Sequence, residues 1–415
     1  MGRLPMNVRA LSSLQRDVDR ARRGGAFGPK ERDAAATIVR AVRRGGDGAV
    51  LRAVRRFDRR EASARDLVVD ARAIRHAARA CDPETRRALD LAHARILRFH
   101  ERQRPKMIRR RDAVGEVSLS PAPLTRVGAL VPRGFVSYPS TALMTGVPAR
   151  VAGVGALVVA SPMPRDGSLD PALAYALALV ETDLLYRAGG AAAVAALAYG
   201  TRSLGRVDKI VGPGNAFSAA AKWLVSADVG IDALQGPSEL IVIASGDADP
   251  RTLTLDLLAQ AEHGAGSFAA IISDETRLLR TVATALKGNG STRIAGYRAA
   301  DLRAAARAAN DAAPEHLLLA GRRAAALADG AWRAGAVFVG ERSAVAFGDY
   351  VAGTNHALPT GGTARWSSAL RVDDFVRWTS RVALRGELRA LATAGTAIAR
   401  HEGMRYHGES MAARV

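Results

Sequence analysis

From Arg126 onward, short β-branched runs alternate with Ala-rich stretches of helical spacing: RVGALV, GALVVAS, VDKIVG, ELIVIAS, AAIISD and AVFVG. Apolar runs of this length, bounded by Gly and Pro, predict strands. Their alternation with helical patterns predicts βαβ units and parallel sheets. Gly- and Pro-containing turns follow several strands, as in VPRGFVSYPS and IVGPGNAF. In such sheets ligands gather at the carboxyl ends of strands. No GxGxxG fingerprint follows any strand, and no repeat recurs at a fixed period. Residues 1–112 read as helices instead. In PETRRALDLAHARILRFHERQRP the positions Leu89, Ala92, Ile96 and Phe99 form one apolar stripe, with His93 and His100 expected on the helix surface beside it. The last 45 residues return to a helical, polar pattern and read as a tail that docks elsewhere.

Composition narrows the function classes. A chain of 415 residues is long enough to bury a large core and to divide into two or more domains. It has no apolar run of membrane-spanning length and no signal-like apolar segment near its start, so no membrane partner is expected. The single Cys81 excludes an internal disulfide and a Cys-rich metal cluster. Both points favour the cytoplasm. The net charge of +20 suggests nucleic acid at first sight. Only five of the 60 basic residues are Lys, however, a bias expected of a GC-rich genome. Residues 1–112 carry 28 Arg and 2 Lys against 14 acids, with no run of aromatic residues between the basic ones to stack bases. The charge reads as solvated helix faces, and no nucleic-acid partner is expected.

Chemistry concentrates in a few segments. AAPEHLLL, at Ala312–Leu319, places a carboxylate beside an imidazole, Glu315 and His316. Such a pair handles protons near neutral pH, although a helix start or a solvated turn looks the same in sequence. In LLAQAEHGAG, Gln260 and His263 are three apart and share a helix face. GDYVAGTNH adds Asp349 and His356. A carboxylate, imidazoles and an amide oxygen suit zinc or a similar divalent ion. A helix C-terminus with a capping His and an ordinary loop Asp is the alternative. The turns GPGN and QGPSEL follow strand patterns, and their glycines permit close backbone approach to a ligand. Asn215 and Ser238 are the side chains there able to hydrogen-bond it, unless the turns serve the chain reversal alone.

With these segments in place, the chain resembles the histidinol dehydrogenase family. The likeness runs through VRRGGDGAVLRAVRRFD, ILRFHERQRP, YPSTALMTGVPARVAGV, ALAYGTRSLGRVDKIVGPGN, GIDALQGPSELIVIA, DLLAQAEH, APEHL, GDYVAGTNHALPTGGTARWSSAL and EGMRYH. The resemblance implies a zinc-dependent, NAD-linked four-electron oxidation of an amino alcohol, through the aldehyde, to the carboxylate. It implies zinc ligands at Gln260, His263, Asp349 and His407. It makes Glu315 and His316 the acid/base pair, with Ser238, His356 and Glu402 helping to hold the substrate. A homodimer is expected, in which the tail bearing Glu402 and His407 completes the neighbour's site.

The expected fold is α/β, with two Rossmann-like parallel-sheet domains, a helical N-terminal region and a helical C-terminal tail. Expected boundaries are residues 1–25 for an N-terminal helical segment, 26–128 plus 239–370 for the first domain, 129–238 for the second, and 371–415 for the exchanged tail. This chain departs from the family at the NAD-contact set, Leu130, Ala192 and Asn215. Leu130 stands where the family has Tyr and Ala192 where it has Gln, while Asn215 is kept. Leu318 and Thr354 also replace the usual residues. Weakened NAD binding is the expectation, with Arg133 placed to pair with a phosphate. Two alternatives are a paralogous dehydrogenase acting on another amino alcohol or polar diol, and a metal-binding homologue with impaired NAD use.

Overall fold

The structure, a computed structural model, describes residues 6–58, 61–134, 136–264, 266–287 and 294–415. The first five residues of the expected N-terminal segment lie outside them. Two six-stranded sheets form the body of the protein. One holds, in spatial order, Val68–Asp70, Leu184–Tyr186, Ala156–Ala160, Arg126–Leu130, Lys209–Val211 and Gly230–Ile231. The other holds Val8–Ala10, Ile294–Arg298, Phe268–Ser273, Glu239–Ala244, His316–Ala320 and Ala336–Val339. In each, five consecutive parallel strands lie in the order 3-2-1-4-5, the doubly wound arrangement in which the chain reverses direction between strands 1 and 4. The strands are short, apolar on both faces and covered by helices, as parallel sheets require.

The alternating pattern therefore predicts the two sheets correctly, but not what joins them. The helices between Pro29 and Glu101 share their cores with the 126–231 sheet. The helix Pro29–Ala53 lies on Gly190–Tyr199 and Ala216–Val225, and Val68–Asp70 adds an antiparallel edge strand. Val39, Val42 and Val50 share a core with Val158 and Ile210, and Ile74, Leu89 and Ile96 share one with Val127 and Val159. Conversely, the N-terminal segment belongs to the 239–339 sheet: Val8–Ala10 pairs with Gly296–Arg298, and Leu14 and Val18 pack on Ile241 and Ile243. Nor is the tail wholly helical. Val376–Leu384 is a strand that pairs antiparallel with Gly115–Pro123, which pairs in turn with Ile108–Asp112. Beyond this three-stranded sheet, the helices Arg389–His401 and Arg405–Ala412 pack chiefly on each other. Among the described residues no helix is long and apolar enough to cross a membrane.

The helix Pro83–Glu101 corrects one detail of the stripe. Asp82 caps it by accepting from the Thr85 amide at 2.9 Å, and Pro83 occupies its first turn. Leu89, Ala92 and Ile96 are buried as expected, but the fourth buried position is His100, and Phe99 stands 46% exposed. A step of four keeps residue 100 over Ile96, and the His100 Nδ1 bonds the Ile96 carbonyl at 2.8 Å. Its Nε2 faces the Asn355 amide at 3.4 Å, and that amide donates to the Met144 carbonyl at 2.6 Å. His100 thus anchors the loop that carries His356.

Burial lowers the His100 pKa from its ordinary 6.5, outweighing its hydrogen bonds. The folded protein holds this ring neutral, whereas the unfolded chain protonates it below about pH 6.5, so its contribution is lost as pH falls. The melting temperature of the wild type should therefore exceed that of His100→Leu at pH 7.5, and the gap should narrow towards pH 5. A gap independent of pH would show that the ring's protonation is not coupled to folding.

Candidate active site

The site is built at the amino ends of two neighbouring strands, Glu239–Ala244 and His316–Ala320, which are strands 1 and 4 of their sheet. Their parallel ladder begins with Leu240 opposite His316. Glu239 thus lies one residue before this register begins, and its backbone binds side chains instead. Its N–H donates to Glu315 Oε2 at 3.0 Å, and its carbonyl lies 3.2 Å from His316 Nδ1. A carbonyl only accepts, so Nδ1 carries the proton and Nε2 presents a lone pair. Expectation placed functional groups at the carboxyl ends of strands. In this sheet they lie at the opposite end, because the loops that carry them, 235–238 and 313–315, enter the strands rather than leave them.

Glu315 is buried, with its Oε2 3.5 Å from His316 Nδ1. The Ser238 hydroxyl donates to the same oxygen at 2.6 Å, and the Gln260 amide donates to Ser238 Oγ at 2.9 Å. Burial raises the Glu315 pKa, while His316, Ser238 and the Glu239 amide pull it back. The result is a carboxyl held above its ordinary range but surrounded by donors to its ionised form, which suits a base working near neutral pH.

Gln260 and His263 lie in the last turn and at the C-cap of the helix Pro250–Glu262, as their spacing predicts. His356 Nδ1 lies 2.8 Å from the Asp349 carbonyl, and its Nε2 faces Thr141 Oγ1 at 3.4 Å across from the other sheet's helix Pro139–Ala152. Burial lowers the His356 pKa, against the Asp349 charge and together with those of His316 and His263. Asp349, His263, His316 and His356 therefore share one electrostatic neighbourhood. Glu402 and His407 are exposed on the tail. Among the described residues no three His, Cys, Asp or Glu assemble into a metal-binding group. Gln260, His263 and Asp349 offer an amide, an imidazole and a carboxylate, donor types that suit zinc.

A cavity of about 930 Å³ opens at the carboxyl ends of the 126–231 sheet, where Arg133, Gly189, Gly190, Ala192 and Asn215 line it. This size and place suit a cofactor. The helices Gly190–Tyr199 and Ala216–Val225 begin beside it, and a helix N-terminus favours phosphate. Asn215 caps the second helix through Oδ1, which accepts from the Ser218 amide at 3.0 Å. Leu130 does not line the cavity. It is buried in the core beneath it, its carbonyl pressed against Gly212, where a Cβ would approach to 2.5 Å and φ is 96°. Leu318 is likewise a core residue of the other sheet, so its departure from the family pattern does not bear on the site.

Two groups here went unrecognised in the sequence. Glu239 acts through backbone atoms, which leave no residue signature. Lys222, 1% exposed, pairs with the buried Asp232 and donates to the Gly212 carbonyl at 3.1 Å and Gln235 Oε1 at 3.0 Å. Asp232 Oδ2 accepts from the Gly212 amide at 2.7 Å. This satisfied ion pair ties the cavity's GPGN turn to the QGPSEL turn of the catalytic pair. A lysine inside the apolar helix AFSAAAKWLV was the available signal.

The chain as a whole has known relatives. The histidinol dehydrogenase family profile matches residues 26–415. The histidinol dehydrogenase of Rhodospirillum rubrum is 43% identical, with 92% of each chain covered. That of Mesorhizobium japonicum is 40% identical over 98% of this chain and 99% of its own. The crystal structure of histidinol dehydrogenase from Elizabethkingia anophelis superposes with a TM-score of 0.92 at 27% identity, covering 100% of this chain and 99% of that one.

Because the folded state raises the Glu315 pKa, ionising this carboxyl costs stability. The contribution is fully present below its ordinary pKa of 4.5 and is lost as pH rises through the folded value. Glu315→Gln, which keeps the acceptor oxygen without the charge, should melt near the wild type at pH 4 and above it at pH 8. Melting curves across that range check this, and a Gln variant less stable at pH 8 would reverse the sign.

Proposed function

Since this chain belongs to the histidinol dehydrogenase family, we propose that it oxidises L-histidinol through the aldehyde to L-histidine, as a cytoplasmic homodimer using zinc and NAD. The observation that carries this reading is the Glu315–His316 pair held on Glu239 and joined through Ser238 to Gln260. When bound, NAD accepts a hydride in each half-reaction and zinc fixes the amino alcohol. His316 Nε2 takes the alcohol proton, since Nδ1 is committed to the Glu239 carbonyl. Glu315 takes a proton from the water that attacks the aldehyde, its raised pKa suiting a base at neutral pH. Gln260, His263 and Asp349 would hold the zinc with His407 from the partner, and His356 and Ser238 would orient the substrate with the partner's Glu402. The tail supports the dimer: its two helices pack chiefly on each other, and the tail leaves Trp378, Val382, Leu391, Ile398 and Tyr406 exposed.

Turnover of L-histidinol with NAD, abolished by chelation and restored by zinc, is the expected result, and no turnover of zinc-loaded protein would reject the assignment. His263→Ala and His407→Ala should each be inactive. Mixed under conditions that exchange subunits, they should recover about a quarter of wild-type activity, because half the dimers carry one intact shared site. No recovery after verified exchange would place the whole site in one chain.

The cofactor reading rests on the cavity at Arg133, Ala192 and Asn215. Ala192 offers no amide to the dinucleotide, and a lost contact of that kind costs roughly tenfold in affinity. NAD should bind weakly, several-fold more tightly to Ala192→Gln, and more weakly to Arg133→Ala once the guanidinium is gone. Fluorescence titration checks this, and three equal affinities would remove both side chains from the cofactor site.

A further inference from the structure

The helix Leu14–Arg22 ends in a side chain that reaches the underside of the catalytic pair. Arg22 grips the buried Glu239 carboxylate bidentately, Nε to Oε1 and Nη2 to Oε2, both at 2.6 Å. Its Nη1 donates to the Ala312 carbonyl at 2.8 Å and its Nη2 to that of Ala313 at 3.3 Å. Only 15% of the Arg22 side chain is exposed. Both ends of this contact matter. Glu239 supplies the amide that binds Glu315 and the carbonyl that fixes the His316 ring. Ala312 and Ala313 close the helix Leu302–Ala312 immediately before Pro314, Glu315 and His316. Ala313 has φ 47°, left-handed for a residue with a Cβ, and lies directly before a proline. That conformation persists only where its surroundings hold it. The space for the guanidinium is made by Gly362, where a Cβ would come within 2.6 Å of Arg22 Nη1.

We propose that Arg22 is a positioning residue for the Glu315–His316 pair, acting through Glu239 and the Ala312–Ala313 turn. The proposal rests on the reading of that pair as the acid and base of the dehydrogenase. Arg22 lies ahead of the span 26–415 that the family profile matches. Its role has two parts. The planar fork sets the angle of Glu239, hence the position of the backbone atoms that hold both catalytic side chains. Its charge also balances the Glu239 carboxylate, which otherwise acts on Glu315 at close range.

The test compares Arg22→Met, Arg22→Lys and the double variant Arg22→Met/Glu239→Gln in the zinc-loaded full-length protein. Displacement of a catalytic pair by even 1 Å costs on the order of a hundredfold in rate. Arg22→Met should lose kcat on that scale, with KM for histidinol and for NAD within about threefold of wild type by the same reasoning. The double variant, with no stranded carboxylate, should recover at least about tenfold over Arg22→Met. Arg22→Lys, which keeps the charge without the fork, should fall between wild type and Arg22→Met. A second readout does not depend on turnover. With 15N-labelled histidine, the His316 Nδ1–H signal, identified by its loss in His316→Ala, should be protected from exchange in the wild type and lost in Arg22→Met. A wild-type kcat in Arg22→Met, or a protected His316 signal, overturns the proposal. A double variant no better than the single one overturns the charge-balancing part. If Arg22→Met does not fold, Arg22→Lys decides: a tenfold fall in kcat at unchanged KM supports the role, and an unchanged kcat refutes it. Failure of the dehydrogenase reading would appear separately, as a wild type that binds zinc without turning over histidinol.

Discussion

The site depends on how Glu239–Ala244 meets His316–Ala320. Their ladder starts at Leu240 and His316, which leaves Glu239 outside that register with a donor and an acceptor to place. Buried backbone groups must find partners, and here the partners are the side chains of Glu315 and His316. The Glu239 carbonyl sets the tautomer of His316, and its amide stabilises the ionised form of Glu315. A shift of this pairing by one residue would turn every side chain of the strand to the other face and would dissolve the site with the core.

Two sheets of the same strand order are used at opposite ends. The 126–231 sheet follows the general rule: its cavity opens at the carboxyl ends of strands 1 and 4, above the switch point, with two helix N-termini beside it. The 239–339 sheet works from its amino ends. Lys222 and Asp232 explain how the two are kept in step. Because both are buried and fully hydrogen-bonded, the pair fixes Gly212 on one side and Gln235 on the other. The turn that lines the cavity is thus rigidly linked to the turn that delivers Ser238 to Glu315. Two reactants held in separate clefts react only if the clefts keep their distance, and an ion pair between the loops is a direct way to hold it.

The central strands were legible because they are fully buried and therefore uniformly apolar, with Gly and Pro at their ends. The peripheral strands were not. Val8–Ala10 and Val68–Asp70 have three residues each, too few to show a period, and Val376–Leu384 is largely exposed along its length. Sheet membership is illegible for a related reason: an amphipathic helix reads the same whichever sheet it covers, and only the packing of Val39 or Ile96 assigns it. In the site, Gln260 and His263 were visible as a helical pair, and Glu315 and His316 as neighbours. Their connection through Ser238 crosses 77 positions of chain and has no sequence pattern. His100 misled because one step of helical phase separates a buried position from an exposed one.

The same site shows where stability is given up for reactivity. Glu315 is buried against the preference of its charge, Ala313 is held left-handed, and Glu239 brings a second carboxylate close to the first. Each feature alone is unfavourable, on the order of 1–3 kcal/mol for the backbone strain. Each is offset by a specific partner: Ser238 and the Glu239 amide for Glu315, and Arg22 for both Glu239 and the Ala312–Ala313 turn. An ordinary Glu-His dipeptide on a surface turn would be easier to fold and would have neither a raised carboxyl pKa nor a fixed imidazole. The network around Glu239 supplies that difference, and it does so with residues from the N-terminal helix, two strands and a helix C-terminus that the chain brings together only by folding.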